Sequence, residues 1–425
     1  MQTLNLICSL TKEPTDMANP SYKKCKQYLL ISLTAMTMLT SCNKDAPNQA
    51  SSQPIVIVNT EKVADYINIF VWALPSTVLP PTVPAENPIS NEKVKLGRFL
   101  FYDRQLSANS SQACADCHQQ KHAFSESKST AIGSTGQTHP RNSQALVNTA
   151  FNETLTWNNP SLHLLEKQIT LPLFGKTPVE MGLSDDNKQT VLTRFQQDVI
   201  YQKLFTAAYP QETTPINYDN IIQSLASFVR TLNSFESAFD HYQDGNSSAL
   251  SNSAQRGMTL FFSERLACTQ CHGGKNFNDV QDPLFANATN RLFQNIGLFN
   301  IDDTGKYPSN NQGLIQFSHQ TEDMGKFRVP TLRNIEFSAP YMHDGSFLNL
   351  EDVLDFYAAG GRLIDFGENT GDGRLNPFKS PVIKGFALDA QDKKDIVNFL
   401  KSLSDVNFIT DSNLSKPFEL STKEK

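Results

Sequence analysis

Two copies of one cysteine–histidine pattern are the chemically most informative feature of this chain. They are Cys114-Ala-Asp-Cys117-His118 and Cys268-Thr-Gln-Cys271-His272. In a C-x-x-C-H motif the two thiols can form thioether bonds to the vinyl groups of a haem, and the histidine that follows can ligate the iron. The two motifs therefore predict two covalently attached c-type haems, with His118 and His272 as proximal ligands.

The same cysteine pairs could instead form a zinc site or disulfides. Two C-x-x-C pairs could form a four-cysteine zinc site, but here they are far apart in the chain and each is followed at once by a histidine. Disulfides are common in exported proteins, but cysteines three residues apart make strained partners. The other three of the seven cysteines, Cys8, Cys25 and Cys42, lie in an N-terminal leader. Haem attachment is the favoured interpretation.

The segments around the motifs are predicted to be helices joined by long loops. Capping residues followed by apolar residues at helical spacing begin four of these helices. They are Ser90 with Leu96, Phe99 and Leu100; Ser184 with Val191, Phe195 and Val199; Asn349 with Leu350, Val353, Leu354 and Tyr357; and Asp389, before a last helix, with Ile396, Phe399, Leu400 and Leu403. A fifth helix is apolar on a broad face from Ile221 to Leu232, which predicts packing on two sides.

Long β-type alternation is missing, so the fold is predicted to be mainly α. The turn-forming stretch Asp244-Gly-Asn-Ser-Ser is the predicted boundary between two halves with one motif each. We therefore expect two cytochrome c-like helical domains with long loops, one c-type haem in each. The first covers residues 63–245, the second covers 246–408, and a polar tail follows at 409–425.

The N-terminus has the pattern of an export signal. Lysines at 23, 24 and 26 precede an apolar run from Tyr28 to Met38 that is too short for a comfortable membrane span. The sequence Leu39-Thr-Ser-Cys42 is typical of a bacterial lipobox, in which Cys42 is acylated, although an ordinary cleaved signal has a similar composition. We expect a leader at 1–42, starting at Met1 or Met17, and a flexible tether at 43–62. The mature protein is then expected on the periplasmic side of a bacterial envelope, touching the membrane only through a lipid anchor.

Composition excludes one class of partner. The formal net charge is -6 and no basic stripe occurs, which argues against nucleic-acid binding.

From about Pro84 to Leu403 the chain resembles the bacterial dihaem cytochrome c peroxidase and MauG superfamily, and within it the MbnH-like branch, which is associated with methanobactin. The motifs that carry the resemblance, besides the two haem motifs, are Leu96-Gly-Arg-Phe-Leu-Phe-Tyr102, Pro140-Arg-Asn142, Leu155-Thr-Trp157-Asn-Asn-Pro160, Leu171-Pro-Leu-Phe-Gly175, Pro178-Val-Glu-Met-Gly182, Arg230-Thr-Leu232, Val329-Pro-Thr-Leu-Arg-Asn334 and Pro340-Tyr-Met-His-Asp-Gly345.

The resemblance implies roles around the first haem, whose domain would be the peroxidatic one. Glu180 matches the family's distal glutamate, which can move a proton between the two oxygens of a peroxide, and Gln168 matches its companion amide. Ser134 stands where conventional peroxidases place a distal histidine ligand, so the first iron is expected to be open. His139 could substitute as that ligand, although a histidine lining the pocket is the favoured interpretation.

At the second haem, in the electron-transfer domain, the resemblance implies tyrosine ligation. Conventional peroxidases place a methionine fourteen residues after the histidine that corresponds to His343, and that position is Tyr357 here, as in MauG. A phenolate is hard and anionic and lowers the reduction potential of iron, whereas methionine raises it. A core tyrosine hydrogen-bonded to the backbone is the alternative. His343 itself resembles a structural histidine.

The family also implies a link between the haems. Trp157, one of two tryptophans, matches the inter-haem tryptophan that could relay electrons, although a purely packing role is also open. One calcium ion between the haems is implied, held by the Asn142 side chain and the carbonyls of Ser338 and Pro340, which are hard oxygen ligands.

Together these implications predict an oxidoreductase of the peroxidase type. Hydrogen peroxide would generate a high-valent dihaem state that oxidises a residue, expected to be a tryptophan, on an exported partner protein by long-range electron transfer. The alternatives are a cytochrome c peroxidase that reduces hydrogen peroxide with electrons from a small cytochrome, and a pure electron carrier.

Overall fold

The computed structural model describes residues 70–281 and 291–417. The predicted leader with Cys42, the tether and the end of the polar tail lie outside the described residues. Within those ranges, no helix is both long enough and apolar enough to cross a membrane.

The described chain is mainly helical, as predicted. Its α-helices are α1 (Asn91–Tyr102), α2 (Cys114–Cys117), α3 (Leu165–Phe174), α4 (Lys188–Gln197), α5 (Val199–Ala208), α6 (Tyr218–Arg230), α7 (Ala238–Gln243), α8 (Asn252–Phe261), α9 (Ile315–Ser318), α10 (Leu350–Ala359), α11 (Ala390–Lys401) and α12 (Val406–Thr410). Its strands form two short antiparallel pairs, β1 (Phe293–Gln294) with β2 (Phe327–Arg328) and β3 (Leu363–Ile364) with β4 (Gly371–Asp372).

Two crossed helix pairs organise the two halves in the same way. Helix α1, which precedes the first haem motif in the chain, packs on α6. Helix α8, which precedes the second motif, packs on α11. Each pair crosses at a glycine: a Cβ on Gly97 would lie 1.9 Å from the carbonyl oxygen of Ser224, and one on Gly257 would lie 1.9 Å from that of Asp395. Only a residue without a side chain permits such close backbones.

The apolar residues form separate cores around these pairs. The larger core is built from α1, α3, α4, α5 and α6, and it also takes in Phe408 of α12. The core around α8, α10 and α11 begins with Phe239 of α7, slightly before the predicted boundary at 245/246. Residues after 408 also contact the first half, since Tyr102 Oη donates to the Leu414 carbonyl at 2.7 Å. The division into domains at 63–245 and 246–408 stays a prediction.

The predicted helix starts are confirmed at Ser90, Asn349 and Asp389, whose side chains accept from backbone amides of the first turn. The predicted helix from Ser184 to Val199 is wrong in its extent. Its helix begins after Asn187 and stops at Asp198, which caps the next helix and leaves Val199 59% exposed. The helix after Asp389 is not the last, because α12 follows it.

Candidate functional site

The first haem motif forms a short helix that is capped from within the motif. Asp116 accepts a hydrogen bond from the backbone amide of Ala113 at 2.8 Å, which fixes the start of α2. His118 then has Nδ1 2.9 Å from the Phe124 carbonyl oxygen. This contact makes Nδ1–H the donor and leaves Nε2 with its lone pair free for a metal. Burial lowers the pKa of His118, so the ring is neutral, as a ligand must be.

The second motif repeats this arrangement. Nδ1 of His272 lies 2.9 Å from the Phe277 carbonyl oxygen, and burial again lowers the pKa of the ring. In both halves the phenylalanine that provides the carbonyl has a positive φ, 58° for Phe124 and 53° for Phe277. The same local geometry therefore presents a free imidazole Nε2 beside each cysteine pair.

The four motif cysteines form no disulfide. In the described part of the chain, no three or more His, Cys, Asp and Glu side chains gather into a cluster that could hold a metal ion. A four-cysteine zinc centre is thus not formed by these residues, and each pair stays available for thioether bonds.

A cavity of about 550 Å³ lies beside the second motif. Cys268, Cys271 and His272 line it, and the rest of its wall is largely apolar. An apolar cavity with a thiol pair and a free imidazole nitrogen fits a covalently bound haem.

Tyr357 of α10 lines the same cavity as His272. Its hydroxyl makes no hydrogen bond to any residue in the described ranges, so the alternative of a core tyrosine tied to the backbone has no support. Burial raises the pKa of the phenol, and the nearby Cys271 and Cys268 raise it further. A phenolate at this position therefore needs a cation to stabilise it.

Three of the polar residues predicted for the first haem have a buried side-chain atom without a hydrogen-bond partner. Oε1 of Glu180 lies 3.6 Å from Nε2 of His139, and this Nε2 is buried without a hydrogen-bond partner. The buried Oε1 of Gln168 and Oγ of Ser134 also have no partner. Buried polar atoms are rarely left unpaired, so each of these three atoms is free to meet a further group.

Burial raises the pKa of Glu180 to about 7, although 40% of its side chain is accessible. The two observations agree if the carboxyl faces a recess surrounded by protein rather than open solvent. Its charge acts on Cys114 and Cys117, so it lies close to the first motif. A carboxyl with a pKa near neutrality is suited to accept and return a proton.

A short hairpin fixes the Glu180 segment. The Ser134 amide donates to the Glu180 carbonyl at 2.8 Å, and the Val179 amide donates to Gln137 Oε1 at 2.9 Å. His139 sits at the end of this hairpin, where its amide donates to Ala131. The same backbone contacts therefore hold both members of the His139–Glu180 pair.

Trp157 contacts residues from both halves of the chain, including Asn142 and His343. Its indole Nε1 donates to the Asn142 carbonyl at 2.8 Å, and its ring lines the large cavity and meets the His343 ring edge-to-face at 6.5 Å between centroids. His343 stacks on Phe327 at 3.6 Å, and its Nε2 is buried without a partner.

The three predicted calcium ligands have free oxygens. Asn142 Nδ2 donates to the Lys128 carbonyl at 2.9 Å, and the Asn142 amide donates to the His343 carbonyl at 2.8 Å. The second of these contacts joins Asn142 to His343, three residues after Pro340 in the chain. Within the described residues, neither Asn142 Oδ1 nor the carbonyls of Ser338 and Pro340 accept a hydrogen bond, so all three could bind a hard cation.

One buried charge was not predicted from the sequence. Arg328 lines the large cavity beside Trp157, and its amide donates to the Trp157 carbonyl at 2.7 Å. The available signal was its position directly before the motif that begins at Val329, in an otherwise apolar stretch.

The chain is similar to several characterised proteins. A family model described as "Di-haem cytochrome c peroxidase" matches residues 91–248. The chain is 33% identical over 347 residues to the cytochrome-c peroxidase IdrP1 of Pseudomonas sp. (strain SCT), over 78% of this chain and 86% of that protein. It is 32% identical over 320 residues to the methylamine utilization protein MauG of Methylorubrum extorquens, over 75% and 80%. A crystal structure described as a MauG-like protein associated with microbial copper homeostasis matches with a TM-score of 0.78 and 44% identity, over 82% of this chain and 99% of that one.

Proposed function

This chain belongs to the di-haem cytochrome c peroxidase and MauG family, a family of di-haem oxidoreductases, and from that membership we propose that it uses hydrogen peroxide to oxidise a residue of an exported partner protein. The residue proposed is a tryptophan, reached by long-range electron transfer. The observation that carries the proposal is Tyr357, whose hydroxyl lies free in the cavity of the second haem motif.

The haems would supply the redox chemistry, cleaving the peroxide O–O bond and holding the two oxidising equivalents. They would be attached through Cys114 and Cys117 in the first half and through Cys268 and Cys271 in the second. His118 and His272 would bind the two irons through their free Nε2 atoms. Tyr357 would also bind the second iron, where an anionic oxygen favours oxidised over reduced iron. This choice favours storage of oxidising equivalents over receipt of single electrons from a cytochrome.

The polar groups of the first site would handle the proton. The Glu180 carboxylate can take a proton from one peroxide oxygen and return it to the other, and its pKa of about 7 makes both steps accessible near neutral pH. The free Gln168 Oε1 can accept a hydrogen bond from the bound peroxide and orient it. Ser134 is a poor iron ligand, so no side chain would have to leave the first iron before peroxide binds.

Trp157 and a calcium ion would connect the two sites. Trp157 lines the cavity beside the second haem motif and is hydrogen-bonded to Asn142, so electrons could pass through its indole. Calcium would be held by Asn142 Oδ1 and the carbonyls of Ser338 and Pro340, and it would fix the loop next to Trp157 and His343.

The cellular location is part of the same proposal. A lipid on Cys42 would tether the mature protein to a membrane facing the periplasm, where an exported partner is within reach.

A second candidate is a cytochrome c peroxidase that draws electrons from a small cytochrome. Its support is the 33% identity to a protein named cytochrome-c peroxidase. The two candidates differ in what happens when the electron donor is withheld.

The deciding experiment adds one equivalent of hydrogen peroxide to the fully oxidised holoenzyme without donor. The oxidising equivalents that remain are then counted over time by titration with ferrocyanide. We expect two equivalents that persist until an exported tryptophan-containing partner is added, followed by a mass change in a tryptophan peptide of that partner. Rapid loss of the equivalents, or a requirement for prior one-electron reduction, would favour the peroxidase.

A further inference from the structure

Arg328 differs from the other buried arginines in its ion-pair partners. Three arginines are buried in the described ranges, with relative exposures of 3% for Arg230, 6% for Arg328 and 4% for Arg333. Arg230 pairs with Glu166 at 2.6 Å, and Arg333 pairs with Asp240 at 2.8 Å. Arg328 forms no ion pair with any residue that the structure describes.

Neutral oxygens alone surround the Arg328 guanidinium. Its Nε donates to the Thr156 carbonyl at 3.2 Å, one terminal nitrogen donates to the Val329 carbonyl at 3.2 Å, and the other donates to the Gln144 side-chain oxygen. Burial without a compensating anion lowers the pKa of Arg328 to about 10. Hydrogen bonds to neutral groups do not offset the free energy of removing a full charge from water. An anion beside Arg328 would therefore stabilise the folded protein.

The position of Arg328 indicates where that anion comes from. The side chain forms part of the wall of the 550 Å³ cavity, together with Cys268, Cys271 and His272. A haem in this cavity carries two propionates, which are ionised at neutral pH. The planar guanidinium is the side chain best matched to a carboxylate, because its donors can engage both oxygens.

We propose that Arg328 is the counter-ion of a propionate on the haem held by Cys268, Cys271 and His272, and that it thereby helps to set the reduction potential of that haem. Reduction adds one negative charge to the haem, and a buried positive charge nearby favours it because the low dielectric screens little. Arg328 thus opposes the anionic Tyr357, and the potential reflects the balance of the two. Arg328 acts through the haem and is a positioning residue, not a catalytic one.

The inference depends on the second haem but not on which substrate is oxidised. It is tested by anaerobic redox titration of the holoenzyme, with neither peroxide nor partner present. The second haem is identified as the one that is lost when Cys268 and Cys271 are both replaced by alanine. A failure here would leave the proposed function intact, and a failure of the proposed function would not alter these potentials.

In Arg328→Gln, we expect the redox equilibrium of the second haem to shift at least tenfold towards the oxidised form, which is a fall of about 59 mV for one electron. The potential should also become pH-dependent between about pH 5 and 7, because an unpaired buried propionate has a raised pKa and takes up a proton on reduction. A variant that binds both haems and stays within twofold of the wild type would overturn the proposal.

Two further variants keep the test decisive if Arg328→Gln does not fold. Arg328→Lys retains the charge but cannot form the bidentate hydrogen bonds of a guanidinium. We therefore expect the redox equilibrium of the second haem to shift two- to tenfold towards the oxidised form. No shift, or one beyond tenfold, would contradict the proposal. Arg374→Gln is the matched control, since Arg374 is 43% exposed and already paired with Asp372 at 2.7 Å. Its shift should stay below twofold.

A free anion is the other possible source of the negative charge. Arg328 also borders a second cavity of about 340 Å³, lined in part by Lys275 and Arg291, into which a small anion could diffuse. The wild-type potential is therefore measured at constant ionic strength with rising inorganic phosphate. A propionate partner predicts a constant potential, and a dependence on phosphate would overturn the assignment to the haem.

Discussion

The Nε2 atom of His139 lies 3.6 Å from Oε1 of Glu180, and neither group has another side-chain partner in the described ranges. His139 is held neutral because burial, Arg141 and His118 all lower its pKa. Burial raises the pKa of Glu180 to about 7. At pH 7 the Glu180 carboxyl is therefore about half ionised beside a neutral imidazole, and a small movement would bring the two atoms into hydrogen-bond range.

The first prediction concerns proton transfer by Glu180. The carboxylate is the base, and its pKa is raised, so the rate constant for reaction with hydrogen peroxide should increase as pH rises through about 7. Glu180→Gln cannot accept the proton, and the rate constant should fall by about 10²–10⁴ and lose this inflection. Stopped-flow kinetics from pH 5 to 9 measure both effects. The exposed Glu322→Gln is the control, and an unchanged profile in Glu180→Gln would exclude the proposed role.

The second prediction separates the two possible roles of His139. If His139 only lines the pocket, His139→Gln should leave the resting absorption spectrum of the first haem unchanged. The inflection near pH 7 should remain, because burial and not His139 raises the pKa of Glu180. A change from a six-coordinate to a five-coordinate spectrum in the variant would instead identify His139 as an iron ligand.

The third prediction concerns Tyr357. Replacing it with phenylalanine removes the anionic oxygen, so the two oxidising equivalents should no longer persist after one equivalent of peroxide, as counted by ferrocyanide titration. Tyr341→Phe is a matched control in the same cavity, since its hydroxyl donates to the Ile335 carbonyl at 3.0 Å. Equal persistence in Tyr357→Phe and the wild type would show that Tyr357 is not a ligand.

The fourth prediction concerns calcium. Chelation with EGTA should slow electron transfer between the sites, because the loop next to Trp157 and His343 loses its ligand, and added calcium should restore the rate. Asn142→Ala removes the side-chain oxygen and should weaken calcium binding in isothermal titration calorimetry. Its control is Asn413→Ala, an exposed asparagine that the proposed calcium site does not include. Equal affinity in Asn142→Ala and the wild type would remove Asn142 from the site.

The fifth prediction concerns the helix crossing. Gly97→Ala would place a methyl group 1.9 Å from the Ser224 carbonyl oxygen, so the helices must separate. We expect the free energy of unfolding to fall by about 1–3 kcal/mol, the usual cost of overpacking, measured by denaturant titration. Lys95→Ala, exposed on the same helix, should lie within about 0.5 kcal/mol of the wild type. A stability of Gly97→Ala equal to that of Lys95→Ala would contradict the close crossing.

The sequence by itself determined the features that depend on short spacing. Cysteines at positions three apart with an adjacent histidine define each haem motif, and caps such as Ser90 and Asn349 define helix starts, because both act within a few residues. The break at Asp198 was missed since the apolar spacing continues across it, and only the side chain's hydrogen bonds to Ile200 and Tyr201 reveal a new helix.

The tertiary structure decided what distant segments bring together. It placed Tyr357 in the cavity of His272 and His139 beside Glu180, and it left Arg328 buried without a carboxylate in the described ranges. No local pattern encodes these relationships, because burial and charge compensation depend on which surfaces meet after folding. The haem motifs could be found in the sequence, whereas the electrostatic surroundings of the haems are a property of the fold.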